Sequence, residues 1–452
     1  MPGPLATVPQ LAAALAAGRT TSRALVDEAL AKIADPAGEG ARTFTAVYDK
    51  TARAAAEAQD ALCRAGYVAS PLAGLPVSLK DLFDVAGERT LAGSIALDDQ
   101  PLAVRDAPIV ARLRAAGAVL IGRTNMSEFA FSGVGINPHY GTPGNPADRS
   151  RIPGGSSSGA GVSAADGTSV VAIGTDTGGS VRIPAALCGI VGFKPTRRRV
   201  PVEGAFPLSP TLDSIGPLAG DVASCAIADA VMAGEPPEVP PAVPLDRLVF
   251  GIPQRIVLDN LDPAVAADFA RACRQLEAAG ARLTDLPLKE FDDYGPINAG
   301  GGFSPPEAYA AHRALIARRG ADYDQRVRAR IERGGSMSAA DYVTLVAQRA
   351  AFIARVDAAT AAVDGLLLPT VATTALPIAA FAKDEDFVRL NLYVLRNTAI
   401  INFLDRCAIT LPIQRPGELP VGLMLVGRNG ADRRLLGMAL AAEAALAAKD
   451  GG

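Results

Sequence analysis

The sequence predicts a single large α/β domain, layered α/β/α around a central mixed, largely parallel sheet. Three observations predict it. From about Leu72 onward, short apolar runs alternate with helical patterns, which is the texture of strands buried between helical layers. The same alternation resumes after a long helical stretch in the second half, so both halves contribute to one sheet. The chain also has 452 residues, 49% of them hydrophobic and 20% charged, an ordinary globular composition at a length that an extended sheet can fill. No internal repeat divides it, and one domain over 1–452 is expected.

Taken in order, residues 8–34 carry two helical periodicities broken at Gly18, inside N-terminal helices expected over 1–65. "GLPVSL" at 74–79 reads as a strand, "DAPIVARLRAAGA" at 106–118 as a helix, and "VLIGRTN" at 119–125 and "TSVVAIGT" at 168–175 as strands. The proline-rich "GEPPEVPPAVP" at 234–244 reads as a surface connection rather than a domain boundary. "RLVFGI" at 247–252 is again a strand, and a helical insert of three segments is expected over 262–363. Strands "DGLLLPT" (364–370), "CAITLPI" (407–413) and "VGLMLVG" (421–427) follow, and the helix "ADRRLLGMALAAEAAL" (431–446) closes the chain.

Composition narrows the function. A net charge of -3 gives no electrostatic footprint for nucleic acid or an anionic membrane, and the run Arg197-Arg198-Arg199 reads as a solvated turn. The five cysteines (Cys63, Cys188, Cys225, Cys273, Cys407) are scattered without a C-x-x-C pair, and there are only two histidines, His139 and His312. Neither a zinc site nor a disulfide framework is expected, which fits a reduced, cytoplasmic protein. The N-terminus lacks a basic stretch ahead of its apolar part, and no uncharged apolar run reaches 18 residues, so neither a signal peptide nor a membrane span is expected.

Two glycine-rich segments hold the candidate chemistry: "PGGSSSGAG" at 153–161 and "GTDTGGSVRIPAALCG" at 174–189. Neither contains a phosphate-binding P-loop or a dinucleotide fingerprint. "GSSSG" fits the nucleophile-elbow pattern centred on Ser157, but that mechanism needs a histidine base, and His312 lies in a mid-helix pattern while His139 lies upstream. A lysine base is the other route. The chain has seven lysines against 37 arginines, so arginine serves wherever charge alone is needed, whereas lysine can give up its proton. Lys80 ends the strand "GLPVSLK" beside Leu79 and Leu82. Working near neutral pH would require a downward shift of roughly 3–4 units from ~10.4, which burial can supply. Position alone favours a strand-end lysine whose head reaches water.

"GLPVSLKDLFDVAG", "RTNMSEFAFSGVGINPHYGTPGNP", "PGGSSSGAGVSAADG", "GTDTGGSVRIPAALCGIVGFKPT" and "LSPTLDSIGPLA" form an ordered series that resembles the blocks of the amidase signature family, closely over 72–219 and more loosely at both ends. The resemblance implies that family's fold and amide hydrolysis through a Ser–cis-Ser–Lys triad, without metal or other cofactor. Carried over, Ser180 is the nucleophile, Ser156 the relay on a cis Gly155–Ser156 peptide, and Lys80 the general base. The resemblance also implies an oxyanion hole from the N–H groups of Thr177, Gly178, Gly179 and Ser180. Ala130 and Phe131 fall at the substrate site, and Ser157, Asp176 and Arg182 support the loops. Cys188 is expected as a buried filler. Substrate choice is expected from 129–143, the insert at about 296–350 and loops near 370–405. The partner implied is a small-molecule amide, and a homodimer is compatible with relatives. Two other readings within the resemblance are the glutaminase (A-type) subunit of a tRNA-dependent amidotransferase and a biuret- or allophanate-type hydrolase.

Overall fold

Eleven strands hydrogen-bond into one sheet in the computed structural model, which describes residues 5–447. They are β1 (Phe44–Val47), β2 (Pro76–Lys80), β3 (Val119–Thr124), β4 (Val171–Asp176), β5 (Val191–Lys194), β6 (Ser214–Ala219), β7 (Val249–Pro253), β8 (Arg282–Leu286), β9 (Gly365–Pro369), β10 (Ala408–Pro412) and β11 (Gly422–Val426). Their order across the sheet is β1-β3-β2-β4-β6-β5-β10-β11-β9-β7-β8. Every residue of β2, β3, β4, β9 and β11 is buried, because helices cover both faces and the continuous apolar runs need no polar side.

The sheet is mixed as expected, but its parallel share is smaller. β3, β2 and β4 run parallel to one another, as do β9, β7 and β8; the remaining ladders, including all those of β6, β5, β10 and β11, are antiparallel. The sequence pattern hides this because β5 and β6 are joined without a crossover helix. Neither reads as a strand: β5 is four residues long and β6 carries Pro217. β1 and β8 also escape the pattern. Both lie at sheet edges and are partly exposed, so neither needs an apolar run.

The N-terminal helices Val8–Ala16 and Ser22–Ala34 form on either side of Gly18, whose φ of +64° suits glycine. The expected limits 1 and 452 lie outside the described residues. In the insert, helices Pro263–Ala278, Tyr294–Ile297, Ser304–Arg319, Gln325–Arg333 and Ala339–Ala359 replace the three expected segments, with β8 among them. Residues 384–403 form a helix, Asp384–Phe403, rather than loops. β2 and β4 are parallel and paired at Leu79↔Ile173, so Lys80 and Asp176 finish at the same edge of the sheet. The carboxyl edge of parallel strands is where α/β folds place ligands.

Candidate active site

At that edge Lys80 is fully buried. Its Nζ lies 2.7 Å from Ser156 Oγ and 2.8 Å from Thr175 Oγ1. Burial pushes its pKa down to about 7, against the opposing pull of Asp176 and Asp213. Both neighbours are hydroxyls, which can donate as well as accept, so the pocket accommodates a neutral amine.

Ser156 follows a cis Gly155–Ser156 peptide, as the resemblance implied. Gly155 is required by space: a Cβ there would come within 2.5 Å of Gly135 N. The next two serines hold the loop. Ser157 Oγ donates to Thr175 O (3.3 Å) and Ser158 Oγ to Asn125 O (3.4 Å), where the buried helix Ser158–Ala165 begins. The Ser157 N–H donates to Ser180 O at 3.3 Å, which ties the two glycine-rich segments together.

Ser180 is 4% exposed and lines a cavity of about 690 Å³. It sits in the turn between β4 and the helix Arg182–Cys188, and Asp176 organises that turn. Its carboxylate accepts from Gly179 N (2.9 Å), Val181 N (3.1 Å), Arg182 Nε (3.0 Å) and Nη2 (2.9 Å), and Asn402 Nδ2 (2.7 Å). Burial would raise the Asp176 pKa, but the Arg182 charge and hydrogen bonds overcome it and hold the carboxyl well below its usual range. Arg182 is itself wholly buried and reaches Asn402 Oδ1 (2.5 Å) and Thr398 O (3.3 Å). Gly179 has φ of +133°, and a Cβ there would fall 2.1 Å from Thr398 Oγ1, so no other residue fits.

This geometry revises the expected donor set. The Gly179 N–H is taken by Asp176, whereas those of Thr177, Gly178 and Ser180 have no hydrogen-bond partner among the described residues. Thr177 is anchored through Oγ1 to Asp213 Oδ1 at 2.5 Å, and burial raises the Asp213 pKa to about 6. Opposite, Phe129 and Ala130 adopt φ of +51° and +58°, a conformation that costs a non-glycine residue about 1–3 kcal/mol. Ala130 and Phe131 line the Ser180 cavity together with residues from 294–305, Arg330, Arg333 and the Asp384–Phe403 helix. Two of the three segments expected to set substrate choice therefore reach the cavity as expected, and the third reaches it as a helix.

Thr175, Asp213, Thr398 and Asn402 were not singled out from sequence. Thr175 could have been: it precedes Asp176 on the strand beside Lys80. Neither histidine lines the cavity. His139 Nε2 contacts Glu128 (2.8 Å), and His312 Nδ1 contacts Tyr323 OH (2.9 Å) within an aromatic cluster where burial lowers its pKa to about 4. All five cysteines are free, and Cys188 is buried with its thiol pKa pushed up. Among the described residues no helix is long and apolar enough to cross a membrane.

Comparisons with known proteins show the family of this chain. The family model described as Amidase matches residues 24–436. The chain is 39% identical over 403 residues to 2-amino-5-chloromuconic acid deaminase of Comamonas testosteroni, covering 87% of this chain and 86% of that one. It is 35% identical over 468 residues to the A-type subunit of the glutamyl-tRNA(Gln) amidotransferase of Chromohalobacter salexigens, covering 96% and 95%. A crystal structure of an amidase superposes with a TM-score of 0.88 at 33% identity, over 97% of this chain and 99% of that one. The chain belongs to the amidase signature family and is a hydrolase of amide carbon–nitrogen bonds.

Proposed function

We propose that this enzyme hydrolyses a small-molecule carboxamide through an acyl-enzyme on Ser180, with Ser156 as proton relay and Lys80 as general base. The observation that carries the reading is the buried Lys80 amine, 2.7 Å from Ser156 Oγ, on the segment that the Ser157 N–H ties to Ser180. A serine hydroxyl attacks well only when a neighbour takes its proton. Lys80 takes the Ser156 proton as Ser156 takes that of Ser180. The Ser180 oxygen adds to the carbonyl carbon, and the new oxyanion meets the open N–H groups of Thr177, Gly178 and Ser180. Each such donor is worth about 100–1000-fold in rate. The proton returns along the same path to the leaving nitrogen, the C–N bond breaks, and ammonia or an amine departs. Water then repeats the sequence on the acyl-enzyme. The support from relatives is that the deaminase and the amidotransferase, by their names, both act at nitrogen-bearing substrates.

The test is ammonia release from a panel of amides by the purified chain, with intact-mass detection of the acyl adduct. Ser180→Ala should lose at least roughly 10,000-fold in kcat and the adduct, with an unchanged melting profile. Retention of activity within tenfold would overturn the assignment. Turnover of glutamine alone, and only with added partner subunits, would favour the amidotransferase reading.

A further inference from the structure

We propose that Glu307, in the first turn of the insert helix Ser304–Arg319, is a positioning residue for the oxyanion hole, acting through Ser209 and Asp213 on the Thr177 N–H. This rests on the reading of Ser180 as nucleophile and of the open N–H groups of its turn as oxyanion donors. The N–H and C=O of a trans peptide lie in one plane and face opposite ways, so whatever holds the carbonyl aims the N–H. The carbonyl of the peptide that carries the Thr177 N–H is Asp176 O. It accepts from Ser214 Oγ at 2.8 Å and from Asn402 Nδ2 at 3.3 Å. The Thr177 side chain gives Oγ1 to Asp213 Oδ1 at 2.5 Å. Two consecutive residues, Asp213 and Ser214, thus grip the carbonyl and the side chain flanking the donor.

Asp213 is held in turn by the loop that precedes it. Its Oδ2 accepts the N–H groups of Leu208 and Ser209, each at 3.0 Å, and Ser209 O accepts those of Leu212 and Asp213, each at 2.8 Å. Glu307 reaches this closed loop from the insert. Ser209 Oγ (2.6 Å) and Thr211 N (3.0 Å) donate to its Oε2, and Thr211 Oγ1 and Tyr342 OH (2.7 Å) donate to its Oε1. Three of these four donors belong to the loop, and the fourth comes from the insert helix Ala339–Ala359. The start of a helix also favours a carboxylate. Ser209 is fully buried, so without Glu307 its hydroxyl is left unsatisfied away from water, which disfavours this loop conformation. Phe303, Ser304 and Pro305, just ahead of Glu307, line the Ser180 cavity, as do Leu208 and Leu212 of the loop. One helix start therefore shapes the substrate space and holds the loop that ends on Asp213.

The test uses the fastest amide among propionamide, benzamide, succinamate and glutamine, with the rate of Ser180 acylation read by intact mass. Glu307→Ala should lower kcat and the acylation rate together by about 10–100-fold, less than the loss of a whole oxyanion donor, with KM within about threefold of wild type. Glu307→Gln, which keeps the shape and one acceptor oxygen, should lose less. Thr177→Val cuts the link to Asp213 but keeps the N–H, so in that background Glu307→Ala should add less than about threefold. Ser209→Ala serves the same cycle if Glu307→Ala melts early. Wild-type kcat in a folded Glu307→Ala, a rise in KM alone, or an undiminished loss in the Thr177→Val background overturns the proposal. Peptide mapping of the adduct separates the two claims. A Glu307→Ala enzyme that acylates Ser180 at the wild-type rate sinks the positioning role and leaves the nucleophile reading standing. An adduct on another residue in wild type sinks the nucleophile reading, and the role of Glu307 with it.

Discussion

The buried network behind Ser180, here the floor, and the wall of the cavity that Ser180 lines are built on opposite principles. In the network behind Ser180, Lys80 joins Ser156 and Thr175, Asp176 joins Arg182 and Asn402, and the Asp176 carboxylate alone collects five hydrogen bonds of 3.1 Å or less. On the wall, Arg330 and Arg396 make no ion pair among the described residues, and Arg396 Nη2 has no hydrogen-bond partner. A satisfied buried polar network is rigid and holds reacting groups in place. Under the proposed mechanism the network does the chemistry and the wall meets the rest of the substrate.

The sharpest way to break the contrast is at Lys80. Lys80→Arg keeps the charge but cannot accept a proton near neutrality, so activity should fall by about 100–10,000-fold. The pH profile gives an independent check. Lys80 must be neutral to act, and its pKa is pushed down to about 7. Protonation below that value removes the base, so kcat/KM should rise with pH and level off above about 7. A flat profile from pH 5 to 9, or near-wild-type activity of Lys80→Arg, would return this lysine to a structural role.

Next in size is the ion pair beneath the turn. Arg182→Met leaves Asp176 buried without its cation, and breaking such a pair costs about 3–5 kcal/mol. The pH dependence carries the sign. In the wild type the folded Asp176 pKa is depressed, so its stabilisation is present above the ordinary carboxyl range and lost as pH falls through the folded value. In Arg182→Met, burial acts unopposed and the folded pKa rises. The variant's deficit should therefore be greatest at pH 8 and shrink toward pH 5, where protonation neutralises the stranded acid. Denaturation midpoints at the two pH values check this, and a deficit that widens on acidification would show that the pair does not govern the turn.

Floor and wall also differ in how far the sequence reveals them. Lys80, Ser156, Asp176, Ser180 and Arg182 lie within one contiguous stretch of motifs, where glycine spacing and strand ends are visible. The wall comes from residues 130–132, 294–305, 330–333 and 387–403. Only long-range packing brings these together, and no local pattern distinguishes Arg330 from an arginine on a solvated helix face. The same reasoning explains Asn402, which reaches Asp176 from 226 residues away. In the sheet, buried apolar strands were legible, whereas edge strands β1 and β8 and the proline-bearing β6 were not, because none of them needs a continuous apolar run.

The smallest expected effect comes from the second buried strand-end lysine, and it tests whether burial alone makes a catalytic lysine. Lys194 ends β5, is 1% exposed, and burial lowers its pKa as it does for Lys80. Its partners differ. Nζ donates to the carbonyls of Pro195 (2.9 Å) and Arg406 (3.0 Å), which accept only, whereas Lys80 faces two hydroxyls that can pass a proton on. Lys194 also lines no part of the Ser180 cavity. Lys194→Met should cost about 1–3 kcal/mol by leaving those carbonyls unpaired, with kcat of the folded fraction within about threefold of wild type. A folded Lys194→Met that loses activity as Lys80→Arg does would extend the proton path beyond Lys80 and remove the distinction drawn from hydroxyl partners. Lost stability with retained turnover would locate that distinction in what each amine touches.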